Sequence, residues 1–142
     1  MHQYAFIGIR QTGILAASTF RPEGATALYD AVGFAVESAS ERLNLMPFYQ
    51  RPKVIVLVAT DGAENASRAY TGTQVRSMIQ LRRARDKWHF LLLSPNPKSV
   101  AKDLGIDPED AQPWPENGAV LPMFSRIAGR VNQLRLTGGP AR

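Results

Sequence analysis

This chain of 142 residues contains an unbroken apolar run from Val54 to Ala59. It lacks the alternation of apolar and polar residues that marks a strand with one exposed face, so both of its faces should be covered. A second run, Trp88 to Leu93, has the same character. Runs of this kind are typical of central parallel strands that lie between layers of helices. The sequence therefore predicts two neighbouring strands of a parallel sheet.

Helical spacing of apolar residues surrounds these strands and predicts four helices. They are expected over residues 27–43, 74–86 and 98–104, and from Gly118 onward. Thr26 is expected to cap the first helix, and Thr71 or Thr73 the second, because threonine hydroxyls accept bonds from free amides at helix starts. Asn96, Pro97 and Gly105 bracket the third helix.

The inward faces of two helices follow from the same spacing. In the second helix these residues are Val75, Met78, Ile79 and Leu81, and in the last helix they are Val120, Leu121, Phe124, Ile127, Val131 and Leu134. Residues 107–117 are rich in proline and acid, and they are expected to form a loop with a small strand near Pro113 and Trp114.

At the N-terminus, Tyr4 to Ile9 is a predicted strand, and Ile14 to Phe20 is a second short extended segment. The order of elements predicts an α/β fold with a doubly wound, mostly parallel sheet and helices on both faces. A single domain over residues 1–136 is expected, followed by a flexible tail over 137–142.

Composition excludes several classes of function. The chain has no cysteine and two histidines, so a disulfide framework, a thiolate metal site and a multi-histidine metal cage are ruled out. No apolar run approaches the roughly 20 residues of a membrane span, and no secretory signal is visible, so a cytoplasmic protein without a membrane partner is expected. A net charge of +5 admits nucleic acid or an acidic protein surface as a partner.

Polar side chains collect where the predicted strands end, which is the edge at which parallel sheets bind ligands. The turns after the two runs and the start of the first helix offer Thr26, Thr60, Asp61, Asn65, Ser67, Ser94 and Asn96. Their oxygen atoms suit a hard cation such as Mg²⁺. The plainer interpretation is also open, in which Asp61 closes a turn, Thr26 caps a helix and Asn96 begins the next helix.

Three segments in order resemble the von Willebrand factor type A domains, in particular the short bacterial and phage members. They are residues 21–32, residues 58–67, and residues 88–96, and the likeness extends over about residues 19–135. The resemblance implies a Rossmann-like doubly wound sheet with a metal-ion-dependent adhesion site. In that site a cation is completed by an acidic group of a protein partner, and Thr26 and Asp61 match the threonine and the second aspartate of the family.

The chain departs from that family at its start. The Asp-x-Ser-x-Ser motif that supplies three oxygen ligands is absent, and the first strand of the family has no counterpart. A degenerate site with no tightly bound metal and no cofactor is therefore expected, although weak Mg²⁺ binding at Thr26 and Asp61 is conceivable. The missing strand would expose the edge of Val54 to Ala59, so we expect a homodimer or a partner that completes this edge, unless Tyr4 to Ile9 fills it.

The expected function is that of a protein-binding or assembly module and not of an enzyme. Its binding residues would be Thr26, Asp61, Asn65, Ser67 and Asn96, or the strand edge itself. The alternative is a nucleic-acid-binding protein that uses the basic residues Arg76, Arg82, Arg83 and Arg85. Such a run is more often a solvated helix end that the helix dipole favours. Trp88 and His89 are expected to be packed residues.

Overall fold

The computed structural model describes residues 25–61, 63–115 and 120–137. In this part of the chain the elements are α1 (Leu28–Asn44), β1 (Ile55–Ala59), α2 (Gly72–Asp86), β2 (His89–Ser94), α3 (Pro97–Leu104), β3 (Ala111–Pro113) and α4 (Val120–Thr137). Short 3-10 turns lie at Phe48–Gln50 and Pro108–Asp110. The predicted extended segments 4–9 and 14–20 lie outside the described residues.

The three strands form one parallel sheet in the order β1-β2-β3. Leu57 of β1 lies opposite Leu91 of β2, and Leu92 of β2 lies opposite Ala111 of β3. The predicted α/β class is confirmed at this level, as a mixed α/β fold with a three-stranded parallel sheet and four helices. The small strand expected near Pro113 is β3.

Helices cover the two faces of β2 unequally. Phe90 and Leu92 point into a large core that is shared with buried residues of α1, α2 and α3. Leu91 and Leu93 point the other way, into a smaller core with Met123, Ile127 and Leu134 of α4. All five residues from Phe90 to Ser94 are buried, as expected for a strand between two layers.

The prediction that both faces of the first strand are covered is wrong for β1. Leu57 is 42% exposed, and Ala59 is also exposed. Val58 is 6% exposed and belongs to the large core. The apolar run therefore identified a strand correctly, but one of its faces is only partly covered.

The start of α1 differs from the predicted threonine cap. Ala27 occupies the N-cap position and no side chain of that residue caps the helix, so the expected cap by Thr26 is wrong. The amides of the first turn find acceptors elsewhere, on side chains of a loop distant in sequence. That arrangement forms the candidate site below.

The cap of α2 follows the prediction more closely. The hydroxyl of Thr71 accepts from the Gln74 amide, and the Gln74 side chain accepts from the Thr71 amide, so the pair forms a capping box. The helix begins two residues earlier than predicted, at Gly72. Leu81 is 52% exposed, so its predicted inward position is wrong, whereas Val75 and Ile79 are fully buried.

The third helix begins at Pro97, one residue earlier than predicted, and ends at Leu104 as predicted, with Gly105 in the left-handed conformation after it (φ 70°). Asn96 occupies the N-cap position without a side-chain capping bond.

The inward face of α4 was predicted one position out of register at its start. Leu121 is 81% exposed and Phe124 51% exposed, while Met123 is buried. Ile127 and Leu134 are buried as expected. The helix extends through Thr137, and the rest of the predicted tail lies outside the described residues.

Among the helices that the structure describes, none combines the length and the hydropathy that crossing a bilayer requires.

Candidate functional site

The candidate site lies where the loop after β1 meets the first turn of α1. Two reciprocal hydrogen bonds join them: the Thr26 amide donates to Asn65 Oδ1 (2.8 Å), and the Asn65 amide donates to the Thr26 carbonyl oxygen (3.0 Å). The two residues come from segments 39 positions apart in the sequence. The loop after the first strand is thereby fastened to the start of the first helix.

Glu64 is the centre of this junction. Its Oε2 accepts from the Tyr29 amide (2.8 Å) and the Ser67 hydroxyl (2.7 Å), and its Oε1 accepts from the amides of Ala66 (2.9 Å) and Ser67 (2.7 Å). Burial raises the pKa of Glu64, but the bonds from Ser67, Tyr29 and Ala66 outweigh it and lower that pKa from 4.5 to about 2. The carboxylate therefore supplies the cap that Thr26 does not.

Asp30 makes the converse connection, from helix to loop. Its Oδ2 accepts from the Arg68 amide, and its Oδ1 accepts from the amides of Ala69 and Tyr70, all at 2.9 Å. These amides, that of Arg68 first, hold the pKa of Asp30 below its usual value. Its own amide donates to Ser67 Oγ (3.0 Å). Glu64 and Asp30 thus form a reciprocal pair, each binding the backbone of the other's segment.

A close aromatic contact continues the junction along α1. The ring of Tyr70 lies over Gly33, where an added Cβ would come within 2.6 Å of it. The same ring meets Phe34 edge to face, with centroids 5.1 Å apart. Its hydroxyl donates to the Glu37 carboxylate, and that bond raises the pKa of Tyr70. Gly33 is required here because only a hydrogen fits beneath the ring.

The structure brings together only part of the predicted binding set. Thr26, Asn65 and Ser67 belong to the junction, and each is used in bonds within the chain. Asp61 is exposed just beyond β1. Asn96 is exposed beyond β2, where its amide donates to Ser94 Oγ (3.2 Å).

The donor set does not fit the metal that the family resemblance implies. In residues 25–61, 63–115 and 120–137, no three side chains of histidine, aspartate or glutamate gather into a possible metal cluster. Both oxygens of Glu64 already accept two bonds each, and Asp61 stands apart from that network. The geometry is that of a hydrogen-bonded junction between the loop and the helix.

The sequence did not identify Glu64 and Asp30, which accept most of the hydrogen bonds at the junction. Both lie inside the segments that carry the family resemblance. Asp30 stands in the first turn of a predicted helix, and Glu64 precedes Ser67 by three residues. This order is the reverse of a capping box, in which the serine or threonine precedes the acid, so it gave no signal for the cap.

Three of the four arginines in the alternative nucleic-acid set are engaged within the chain. Arg76 Nε donates to the Asp103 carbonyl oxygen (3.1 Å), and Arg83 donates to the Gly105 carbonyl oxygen (3.2 Å) and pairs with Asp107. Both therefore bind the C-terminal end of α3, where free carbonyl oxygens favour cations.

Arg82 is the third engaged arginine. It pairs with Asp86 at 2.7 Å and lies over the ring of Trp88, 5.5 Å from its centroid. Trp88 is 4% exposed and packs in the large core, as predicted. His89 is partly buried, and this burial lowers its pKa.

Comparisons with protein-family models, with curated proteins and with solved structures found no match for this chain.

Proposed function

We propose that this chain is a non-enzymatic assembly module, a von Willebrand A-like domain with a degenerate metal site. In this proposal it binds a second copy of itself along the outer edge of β1. The three motif segments and the parallel α/β sheet support the fold assignment. The proposed binding role rests on the outer edge of β1, where backbone groups face away from β2.

The backbone of β1 alternates between its neighbour and the open side. The Thr60 amide donates to the Leu93 carbonyl oxygen, and the Val54 carbonyl oxygen accepts from the His89 amide, both at 3.0 Å. Even-numbered residues therefore face β2, and the amides and carbonyls of Ile55, Leu57 and Ala59 face away from it, because both groups of one residue point to the same side of a strand. Within the described residues, β1 has β2 as its one strand neighbour.

An edge of this kind is a template for pairing with another strand. It carries exposed apolar area, since Leu57 and Ala59 are both exposed, and its outward backbone groups pair with no other strand among the described residues. The carboxylates that could act as general acid, general base or metal ligand at the nearby junction are instead saturated by backbone amides. Both facts favour binding over catalysis.

The test uses two substitutions at Ala59, whose amide faces the open edge. Ala59→Pro removes that donor and places a ring in the path of a pairing strand, while the bonds to β2 remain. Ala59→Ser keeps the donor and is the matched control. We expect light scattering to show dimers of the wild type and of Ala59→Ser, and monomers of Ala59→Pro with unchanged far-ultraviolet circular dichroism. A wild-type monomer at every concentration, or a dimer of Ala59→Pro, would contradict the proposal.

A further inference from the structure

A second exposed surface lies in the connector between α1 and β1, at the end of the sheet opposite the polar junction. Residues 45–51, which we call the connector tip, carry three large apolar side chains that are almost fully exposed: Leu45 (88%), Tyr49 (82%) and Phe48 (71%). None of the three belongs to either core cluster. Three such side chains within five residues form an apolar patch that a purely structural connector does not need.

The connector tip is held in one shape by its own bonds. The Gln50 amide donates to the Pro47 carbonyl oxygen (2.9 Å), and the Arg51 amide donates to that of Phe48 (3.2 Å). Arg51 Nε reaches back to the Met46 carbonyl oxygen (3.2 Å), and its guanidinium lies 5.9 Å from the Phe48 ring centroid. The aromatic side chains are thus presented to solvent by a closed turn, which reduces the entropy lost on binding.

The end of α4 lies beside the base of the connector tip. Lys53 Nζ donates to the carbonyl oxygens of Leu134 (2.8 Å) and Arg135 (3.2 Å), which fixes the last turns of α4 at this end of the sheet. Leu136, the next residue, is 85% exposed. The same end of the molecule therefore bears a fourth large exposed apolar residue.

The charge at this end is positive. Residues 45–53 contain Arg51 and Lys53 and no acid, and the last turn of α4 adds Arg135. The nearest acid along the chain is Glu41, in the last turns of α1. The whole chain carries a net charge of +5. An anionic partner is the complement of this surface.

We propose that the connector tip docks on an anionic lipid surface, with Leu45, Phe48 and Tyr49 entering the headgroup region and the cations lying above it. Side chains that project from a turn suit a fluid interface, where aromatic residues and cations are favoured together. The expectation of no membrane partner came from the lack of a spanning segment, and a contact with the surface needs none. This inference does not depend on the proposed pairing along the β1 edge.

The test is sedimentation of the full chain with vesicles of phosphatidylcholine that contain about 30% phosphatidylserine, compared with phosphatidylcholine alone. We expect binding to the anionic vesicles that weakens when salt is raised from about 0.1 M to about 1 M, because the screening length falls from about 10 Å to about 3 Å. The double variant Phe48→Ser and Tyr49→Ser should lower the partition constant about tenfold or more. Arg135→Gln should lower it about fivefold on anionic vesicles only.

The control removes two large, exposed apolar groups elsewhere. Leu121→Ser with Phe124→Ser acts on exposed residues near the start of α4, whereas the connector tip lies by its end, so it should leave vesicle binding unchanged. Unchanged far-ultraviolet circular dichroism should accompany both double variants. Three results would overturn the proposal: no wild-type binding to either vesicle, equal loss in the control, or an effect of the tip variant on oligomeric state without lipid, which would indicate a protein-binding surface.

Discussion

The two faces of the sheet are built from the same strand and yet differ in completeness. On one face, α1, α2 and α3 enclose a continuous core, and the polar junction of Glu64 and Asp30 fastens its helices and loops. On the other face, α4 is the one helix of the described residues that covers β2, and a cavity of about 150 Å³ beside it is lined by Leu57, Leu91 and Ile127. The first face is covered by helices within the described chain, whereas the second face retains exposed apolar surface.

The difference also appears in how the helices are attached. Two polar contacts hold α4 among the described residues. Arg130 forms a salt bridge with Asp110 (2.7 Å), and Lys53 donates to the last carbonyl oxygens of the helix. The outer side of α4 exposes Leu121 and Phe124. We therefore expect the first face to contribute more to stability than the second face, which exposes more apolar surface.

The unequal covering of the two faces predicts unequal costs for identical substitutions at two adjacent residues of β2. Leu92 and Leu93 are each 1% exposed, but Leu92 belongs to the large core and Leu93 to the small one. Leu92→Ala should cost about 4 kcal/mol and Leu93→Ala about 3 kcal/mol, because a site under one helix collapses more readily around the lost volume. Urea unfolding measures both values. Equal costs, or the reverse order, would contradict the asymmetry.

A second prediction concerns Glu64, whose pKa is about 2 in the folded chain against 4.5 for an ordinary glutamate. A lowered pKa stabilises the fold above pH 4.5, and this contribution is lost as the pH falls from 4.5 towards 2. Glu64→Gln should cost about 2 kcal/mol at neutral pH, since bonds to a charged acceptor are lost, and should reduce the loss of stability in acid.

Urea unfolding at pH 7 and pH 3 checks this behaviour. The matched control is Glu41→Gln on the exposed face of α1, which should change stability by less than about 0.5 kcal/mol. If Glu64→Gln lost as much stability in acid as the wild type, the junction would not be the acid-sensitive part of the first face.

The smallest effect separates two helical glycines, one on each face. Gly33 lies under the Tyr70 ring, whereas an added Cβ at Gly129 of α4 meets nothing within 4 Å. Gly33→Ala should destabilise by about 1 kcal/mol net, because a clash of about 1–3 kcal/mol exceeds the gain of about 1 kcal/mol in helix propensity. Gly129→Ala should stabilise by up to about 1 kcal/mol. Thermal unfolding should move in opposite directions for the two variants.

Much of the fold could be predicted from the sequence because its strands are strongly patterned. The runs ending at Ala59 and Leu93 identified β1 and β2, and the pattern of Asn96, Pro97 and Gly105 predicted the ends of α3 to within one residue. The faces of amphipathic helices were harder. In α4, two apolar sets compete at its start, and packing on Leu91 and Leu93 selects Met123 over Phe124.

The candidate site could be predicted only in part, and the reason that the rest could not is physical. Thr26, Asn65 and Ser67 were identified as polar groups near a helix start, and the structure brings them together. Their partners could not be inferred, because Glu64 and Asp30 act on backbone amides 35 to 40 positions away. Spacing along a chain reveals contacts within one helix, whereas a cap supplied from a distant loop depends on the tertiary fold.

The bond between Lys53 and the end of α4 has a consequence for the order of folding. It joins residues 81 positions apart, while the helices of the larger core meet through shorter separations. Contacts that close long loops form late, because the entropy of closure must be overcome first. During synthesis, the large core can assemble before α4 has left the ribosome. The bond from Lys53 to the carbonyl oxygens of α4 is expected to form last on the way to the native state.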